Sequence, residues 1–326
     1  MAGFIDIHHH FYCPELNASK STFSAKAGWR TPQENLPWSP ELSIQVMDSL
    51  GIQVAILSFP AFPAGEISAE NRASARRRND YVASIRQKYP DRFGFFATLP
   101  FLDDVQGVLD EIAYVLDVLG ADGISISSSY GEGEASTYVG DDRYEAIWAE
   151  LDKREAVVFL HGNQIPSSIP SPHPTLGLPV CEVGHSPAIR KPETDTSNLY
   201  MQVPSETFKA AAHLVVTGYK RRFSKVKIIL AHLGGSTPFL ASRVAILSRY
   251  MGCKLTADEI LDDFRTFYYD TALSSWGSNL TMMESFVPQT QIVFGTDFPG
   301  GVLFLLDVVR YAYLSHNPPC DDAVTT

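Results

Sequence analysis

GFIDIHHH, at residues 3–10, opens the sequence with a short apolar run that ends in three histidines. Side chains along a β-strand alternate between its two faces, so we expect His8 and His10 to point to one side and His9 to the other. Two imidazoles on one face can share a metal ion. Because a lone His-x-His pattern is a weak signal, the rest of the chain must decide whether this strand belongs to a metal site.

Three further apolar runs end in residues of the types that bind metals. They are His161 after residues 156–160, His232 after residues 226–231, and Asp297 after residues 291–296. Imidazole and carboxylate groups are the ligands that a zinc-like ion takes. If these runs are parallel strands of a barrel, their carboxyl ends share one face, where barrel enzymes carry their chemistry. We therefore expect these residues to meet His8 and His10 at one site.

Short apolar runs alternate with amphipathic stretches along the whole chain. The candidate strands cover residues 3–7, 53–58, 93–98, 122–127, 156–160, 226–231, 266–271 and 291–295. The candidate helices cover residues 40–50, 69–89, 103–119, 142–153, 204–223, 237–250, 256–264, 278–286 and 302–315. Eight strands interleaved with helices predict an α/β fold, a (β/α)8 TIM barrel. A doubly wound open sheet is the alternative, but it would not bring the ends of strands one, five, six and eight together.

Two long segments interrupt the regular spacing, at residues 11–39 after the first strand and 162–203 after the fifth. Both would leave the barrel on the face that carries the candidate ligands. Loops of this length in a compact barrel are usually functional. We expect them to cover the barrel mouth and contact the substrate. No shift in composition marks a boundary, so we expect a single domain over residues 1–326.

The composition excludes several classes of partner. The 326 residues carry a net charge of −11, which argues against nucleic acid and anionic membranes as partners. The four cysteines include no CxxC pair, which favours reduced thiols and a cytosolic protein. No run approaches 18 apolar residues, so we expect no membrane span. The basic run from Arg76 to Arg78 is expected to form a solvated helix face.

The fourth candidate strand limits the number of metal ions. It reads GISISSS at residues 123–129 and offers no lysine that could be carbamylated to bridge two metals. We therefore expect one divalent ion, with Zn²⁺ favoured by three histidines and a carboxylate and Mn²⁺ as the alternative. The isolated pair of glycines at Gly131 and Gly133 is not a dinucleotide fingerprint, so no organic cofactor is expected.

At this point the chain resembles the amidohydrolase superfamily, in its mononuclear branch of metal-dependent non-oxidative decarboxylases. The resemblance rests on IDIHHHF at 5–11, MDSLGI at 47–52, His161, AHLGG at 231–235, YDTA at 269–272 and GTDFP at 295–299. It looks closest to the 6-methylsalicylate and aminocarboxymuconate-semialdehyde decarboxylase groups. Resorcylate decarboxylases are similar, but usually open with Glu in place of the first histidine and carry Glu where this chain has Gly235.

The resemblance implies a site and a reaction. His8, His10, His161 and Asp297 would bind the metal, while Asp297 and His232 would move protons. Arginine would hold a substrate carboxylate or phenolate, with Arg30 and Arg243 as candidates, and Phe59 and Phe298 would wall an aromatic ring. We expect decarboxylation of a hydroxylated aromatic acid, with 6-methylsalicylate giving 3-methylphenol, in a homodimer. A metal-dependent hydrolase or lactonase of a cyclic carboxylated substrate is the alternative.

Overall fold

Eight parallel strands form the frame of the protein. The computed structural model describes residues 4–19, 31, 33–61, 66–131, 137–163 and 197–300, with side chains from residue 203 in the last range. The strands are β1 (Phe4–His10), β2 (Ile52–Ser58), β3 (Phe93–Thr98), β4 (Gly123–Ser127), β7 (Val157–His161), β8 (Lys227–Leu230), β9 (Tyr268–Asp270) and β10 (Ile292–Val293). They pair in that order, and every pair is parallel. The other two strands, β5 (Ser129–Tyr130) and β6 (Thr137–Tyr138), form an antiparallel hairpin after β4.

The segment after β10 closes the sheet onto β1. The Ile7 amide donates to the Phe294 carbonyl at 3.0 Å, and the Asp297 amide donates to the His8 carbonyl at 2.8 Å. A parallel bridge between His9 and Phe298 continues this pairing. The predicted barrel is therefore confirmed, and its closure brings Asp297 beside the first strand.

Helices surround the barrel between successive strands. They are α1 (Pro40–Leu50), α2 (Ala69–Lys88), α3 (Val105–Asp117), α4 (Glu145–Lys153), α5 (Ser197–Val216), α6 (Tyr219–Arg222), α7 (Thr237–Leu247), α8 (Ala257–Phe264) and α9 (Gly277–Phe286). Local sequence sets several ends. Ser39 caps the start of α1 and Pro40 takes its first turn, while Gly51 ends it in the left-handed conformation.

The helix predicted over residues 204–223 is two helices. α5 begins earlier, at Ser197, and ends at Val216. Gly218 then adopts a φ of 79° just before α6 begins. Glycine takes this left-handed conformation without steric cost, so it separates two helices that share one amphipathic pattern. The candidate helix over 302–315 lies outside the described residues.

Two apolar layers hold the barrel. The larger packs the strands against the helices and includes Phe95, Trp148 and Phe264. The smaller fills the barrel interior with Phe96, Phe159, Ile229 and Ala231. Phe96 and Phe159 stack at 5.6 Å, and the Phe159 ring meets the His8 ring edge-on at 4.9 Å. The interior core is therefore the floor beneath the predicted ligands.

Parts of the two insertions fall within the described residues. Residues 14–19 are helical and Gln33–Asn35 form a 3-10 turn. The Asn35 side chain donates to the Pro299 carbonyl at 3.1 Å, so this insertion lies against the segment that carries Asp297. Residues 20–30, 32 and 164–196 lie outside the described residues. Among the helices that are described, none is long and apolar enough to cross a membrane.

Candidate metal centre and active site

Four predicted ligands meet at the carboxyl ends of the strands. His8, His10, His161 and Asp297 each offer one ligand atom, and these atoms all lie within 4.8 Å of one another. Asp297 Oδ1 lies 3.3 Å from His8 Nε2 and 3.1 Å from His10 Nε2. The three histidines are almost fully buried. As strand alternation predicts, His9 faces away, toward Asp6 and Ser43.

The rear nitrogen of each ligand imidazole is held by an acceptor. His8 Nδ1 donates to Asp270 Oδ2 at 2.9 Å, and His161 Nδ1 donates to the Gly162 carbonyl at 2.7 Å. His10 Nδ1 contacts the carbonyl and the hydroxyl of Ser58, at 3.3 and 3.1 Å. Protons on Nδ1 leave all three Nε2 lone pairs free to face the common point.

The residues present fit a cation at this point. His161 Nε2 is buried and has no hydrogen-bond partner among the described residues. His8 Nε2 and His10 Nε2 lie 3.1 Å apart, where two lone pairs would repel each other unless a proton or a cation lay between them. A buried polar atom without a partner is costly, and a metal ion would satisfy these atoms together with Asp297. The cluster therefore suits one divalent metal ion.

Burial and neighbouring charges set the protonation states of the four predicted ligands. Burial lowers the pKa of His10 and, together with neighbouring histidines, lowers that of His161 well below its usual value, which keeps both neutral. Burial would raise the pKa of Asp297, but hydrogen bonds from His10 and His8 outweigh it and hold the carboxyl ionised. Burial also opposes the charge on His8, yet Asp270 and Asp297 raise the pKa of His8 to about 10. A metal ion would therefore compete with a proton at His8.

His232 lies beside this cluster. Its ring centroid is 4.9 Å from that of His8 and 5.1 Å from that of His161. Its Nδ1 donates to the Ala272 carbonyl at 3.0 Å, and its backbone amide donates to Asp270 Oδ1 at 3.0 Å. The structure thus brings His232 to the site in a place suited to proton transfer, and the assignment of that role stays a prediction.

The turn after β8 explains why glycines follow His232. His232 and Leu233 have φ values of 57° and 54°, and Gly234 and Gly235 also have positive φ. A Cβ at Gly235 would lie 1.9 Å from the Pro204 carbonyl oxygen on α5, so no side chain fits there without moving the backbone. A side chain as large as glutamate therefore has no room at position 235 of this turn.

The segment that follows β10 also approaches β1 closely. A Cβ at Gly295 would lie 2.8 Å from the His8 Cβ, so glycine lets this strand reach β1. Asp6 then fixes the turn by accepting hydrogen bonds from the Thr296 hydroxyl at 2.6 Å and the Thr296 amide at 3.1 Å. Asp297 follows with a φ of 62°. This backbone turns its carboxylate toward the histidines.

Three of the four residues predicted to contact the substrate fall within the described residues. Arg30 lies outside the described residues. Arg243 is exposed on α7. Phe59 is buried with its ring 5.6 Å from that of Phe11, and Phe298 is fully buried with its ring 5.0 Å from that of His9. These four assignments stay predictions.

Asp270 is a site residue that the sequence-based assignment does not include, although the motif YDTA at 269–272 contains it. Asp270 ends β9, is fully buried, and holds both His8 and the backbone of His232. A buried aspartate at a strand end is as strong a signal here as it is at Asp297, because an unpaired carboxylate would be costly to bury. Ser58, which holds His10, carried no such signal.

The fold and the cluster define a metal-dependent barrel enzyme, and comparison with known proteins identifies its family. The family model described as amidohydrolase matches residues 5–303. The chain belongs to this amidohydrolase family, as the resemblance predicted. The protein named decarboxylase yanB, from Aspergillus niger, is 36% identical over 309 residues, which cover 90% of this chain and 77% of that protein.

Two further relatives bear on the reaction and the fold. The 6-methylsalicylic acid decarboxylase of Penicillium expansum is 33% identical over 90% of this chain and 84% of its own length. A crystal structure of dihydroxybenzoic acid decarboxylase from Polaromonas sp. JS666, with bound manganese and 2-nitroresorcinol, superposes with a TM-score of 0.76. It is 23% identical and covers 96% of this chain and 90% of that one, and it supports the barrel fold. The prediction of a decarboxylase, a carboxy-lyase, is confirmed, and the relatives favour it over the lactonase.

Proposed function

We propose that this protein is a metal-dependent decarboxylase that converts 6-methylsalicylate to 3-methylphenol and CO2. The observation that carries the proposal is the buried cluster of three Nε2 atoms and one carboxylate, with His232 beside it. The relative from Penicillium expansum, which is named for this substrate, supports the choice of acid.

The reaction needs a proton at the ring carbon that bears the carboxylate, because the electrons of the C–C bond otherwise have no stable place to go. His8, His10, His161 and Asp297 would hold the metal ion, which supplies charge stabilisation and substrate orientation when bound. Asp297, which is ionised at rest, would first take up a proton from His232 and then deliver it to the ring carbon, and His232 would also exchange protons with the substrate oxygens. Loss of CO2 then restores the aromatic ring.

Product analysis tests the reaction. In deuterated buffer, the enzyme should release one CO2 per substrate and place one deuteron on the ring carbon that carried the carboxylate. Turnover without CO2 release would instead support a hydrolase.

We infer Zn²⁺ as the ion, because three imidazoles and one carboxylate form a donor set that zinc prefers. Mn²⁺ is the alternative, and the Polaromonas relative has bound manganese. Elemental analysis of the purified protein, followed by activity after reconstitution with each ion, distinguishes the two. Zinc content with no zinc-dependent activity would contradict our choice.

We further infer a homodimer. Phe239, Arg243, Ile246 and Tyr250 are exposed and follow one another at helical spacing along α7 and the turn after it. An apolar stripe of this kind is unfavourable in water and suits a protein interface. If a second copy covers this face, Arg243 lies in the interface rather than at the surface. Phe239→Asp should then yield monomers in sedimentation measurements.

We also propose that the chain forms one domain over residues 1–326, with the two insertions covering the barrel mouth. The contact from Asn35 to Pro299 supports this proposal, since it ties the first insertion to the segment of Asp297. A cytosolic location fits the free thiols of Cys13 and Cys253. Limited proteolysis with and without substrate would test the cover: slower cleavage within 20–30 or 164–196 is expected when substrate is bound.

A further inference from the structure

The basic run from Arg76 to Arg78 is the predicted solvated face only at its first two residues, whose side chains are 39% and 59% exposed. Arg76 pairs with Glu111 at 2.7 Å, and Arg77 pairs with Glu70 at 2.6 Å. Arg78 lies half-buried, and no carboxylate lies within ion-pair distance of it among the described residues. Burial lowers the pKa of its guanidinium, although the group stays charged. Of the three cations, Arg78 is therefore the one without an ion pair among the described residues, although the charge of Glu15 still acts on it.

Arg78 lines a cavity of about 480 Å³ between α2 and the start of the first insertion. Its guanidinium lies 4.2 Å from the centre of the Phe59 ring. Pro14 and Leu16 add apolar wall, and Tyr81 and Ser74 add hydroxyl groups. A second cation, Arg77, and one carboxylate, the exposed Glu15, also line the cavity. The cavity thus combines a planar cation, an aromatic ring and hydrogen-bonding groups, which is how proteins recognise a small organic anion.

This cavity is separate from the metal centre. His10 points into the barrel, whereas Phe11 is fully buried against Phe59 and Tyr81, at 5.6 and 6.2 Å between ring centroids. None of the metal-binding residues lines the cavity. A ligand held by Arg78 would therefore leave the metal centre free.

We propose that this cavity, hereafter the Arg78 cavity, is a second binding site for a small aromatic carboxylate. The carboxylate would take the two parallel N–H groups of the guanidinium, and the ring would lie along Phe59 and Leu16. A ligand carboxylate would give this half-buried arginine the ion pair that it lacks among the described residues. The apolar wall favours an aromatic acid over a hydrated inorganic anion.

Crystals of the metal-loaded enzyme soaked with 4-bromobenzoate would locate the ligand, because anomalous scattering marks the bromine. We expect one bromine position in the Arg78 cavity, whether or not a second appears at the metal centre. Bromine at the metal centre alone, or at neither place, would overturn the proposal. Inorganic phosphate that binds Arg78 while 4-bromobenzoate does not would also overturn it.

Titration in solution supplies the matched test. Arg78→Gln should weaken binding of 4-bromobenzoate to the Arg78 cavity by at least about tenfold, the usual effect of losing a charge-assisted hydrogen bond. Arg76→Gln removes a neighbouring charge of the same helix that pairs with Glu111 and does not line the cavity, and it should change the affinity by less than about twofold. Equal losses in both variants would indicate only a long-range charge effect and would refute the site. An unfolding temperature of Arg78→Gln close to that of the parent protein would show that the variant is folded and that the weaker binding has another cause.

Discussion

Asp270 is not one of the four predicted metal ligands, yet its replacement by asparagine should weaken the metal centre. Its Oδ2 accepts the Nδ1 proton of His8 at 2.9 Å, and its Oδ1 accepts the amides of His232 and Ala272 at 3.0 and 2.9 Å. Asparagine has the same shape but only one acceptor oxygen. If that oxygen serves the two amides, the NH2 group faces His8 and forces its proton onto Nε2, where it blocks metal binding. If the oxygen serves His8, the NH2 group faces two other donors.

In either orientation one buried polar group loses its hydrogen-bond partner, and this loss lowers the stability of the site by about 1–3 kcal/mol. Residues that orient metal-binding histidines typically change metal affinity by about 10–100-fold when replaced, or about 1.4–2.8 kcal/mol. We therefore expect Asp270→Asn to weaken metal binding by this factor, measured by competition with a chelator of known affinity. Loss of the carboxylate should also lower the pKa of His8 in the metal-free protein, since Asp270 is the largest influence that raises it.

The sign of the pH effect provides a second readout. Because folding raises the pKa of His8 from 6.5 to about 10, this ion pair stabilises the metal-free protein fully below pH 6.5 and loses that effect as the pH rises toward 10. The stability difference between parent and Asp270→Asn should shrink over the same range. Asp263→Asn is the control, because Asp263 is also buried but pairs with Arg221 on the outer helices. Metal affinity of Asp270→Asn within twofold of the parent would refute the reasoning.

Four further outcomes follow from the site and can be checked separately. His161→Ala should remove bound metal and activity together, and full metal occupancy by elemental analysis would contradict its role as a ligand. His232→Ala should keep most of the metal while turnover falls at least ~10²-fold, the usual size of an acid–base contribution; metal lost in proportion to activity would make it a ligand instead. Arg30→Ala should cost about 1.5–3 kcal/mol in kcat/KM if it holds a substrate anion, and unchanged kinetics would count against that role. Gly235→Ala should lower the unfolding temperature, because a Cβ there meets the Pro204 carbonyl at 1.9 Å; an unchanged temperature would show that α5 moves freely.

The meeting of His8, His161 and Asp297 at one place could be predicted from sequence, because it follows from local patterns. Each of His8, His161 and Asp297 ends an apolar run, and parallel strands in a closed barrel bring such ends together whatever the details of packing. The alternation of a strand likewise separates His9 from its neighbours. The eight strands were recognisable for the same reason, since buried parallel strands are continuous apolar runs.

Other features depend on packing that no local pattern encodes. Asp270 and Asp297 both end apolar strands, and only the three-dimensional arrangement makes one face His8 Nε2 and the other His8 Nδ1. The three adjacent arginines of α2 are equivalent in sequence. Only the orientation of the helix against the barrel pairs Arg76 and Arg77 with carboxylates and turns Arg78 into a cavity.

Asp270 also joins the two functions of the site. One of its oxygens fixes the ring of a metal-binding histidine, and the other fixes the backbone of His232. That second oxygen also holds the amide of Ala272, whose carbonyl accepts the Nδ1 proton of His232. Movement of β9, which carries Asp270, would therefore displace His8 and His232 together. β9, which provides none of the four predicted metal ligands, in this way sets the relative position of the two groups that decarboxylation would require.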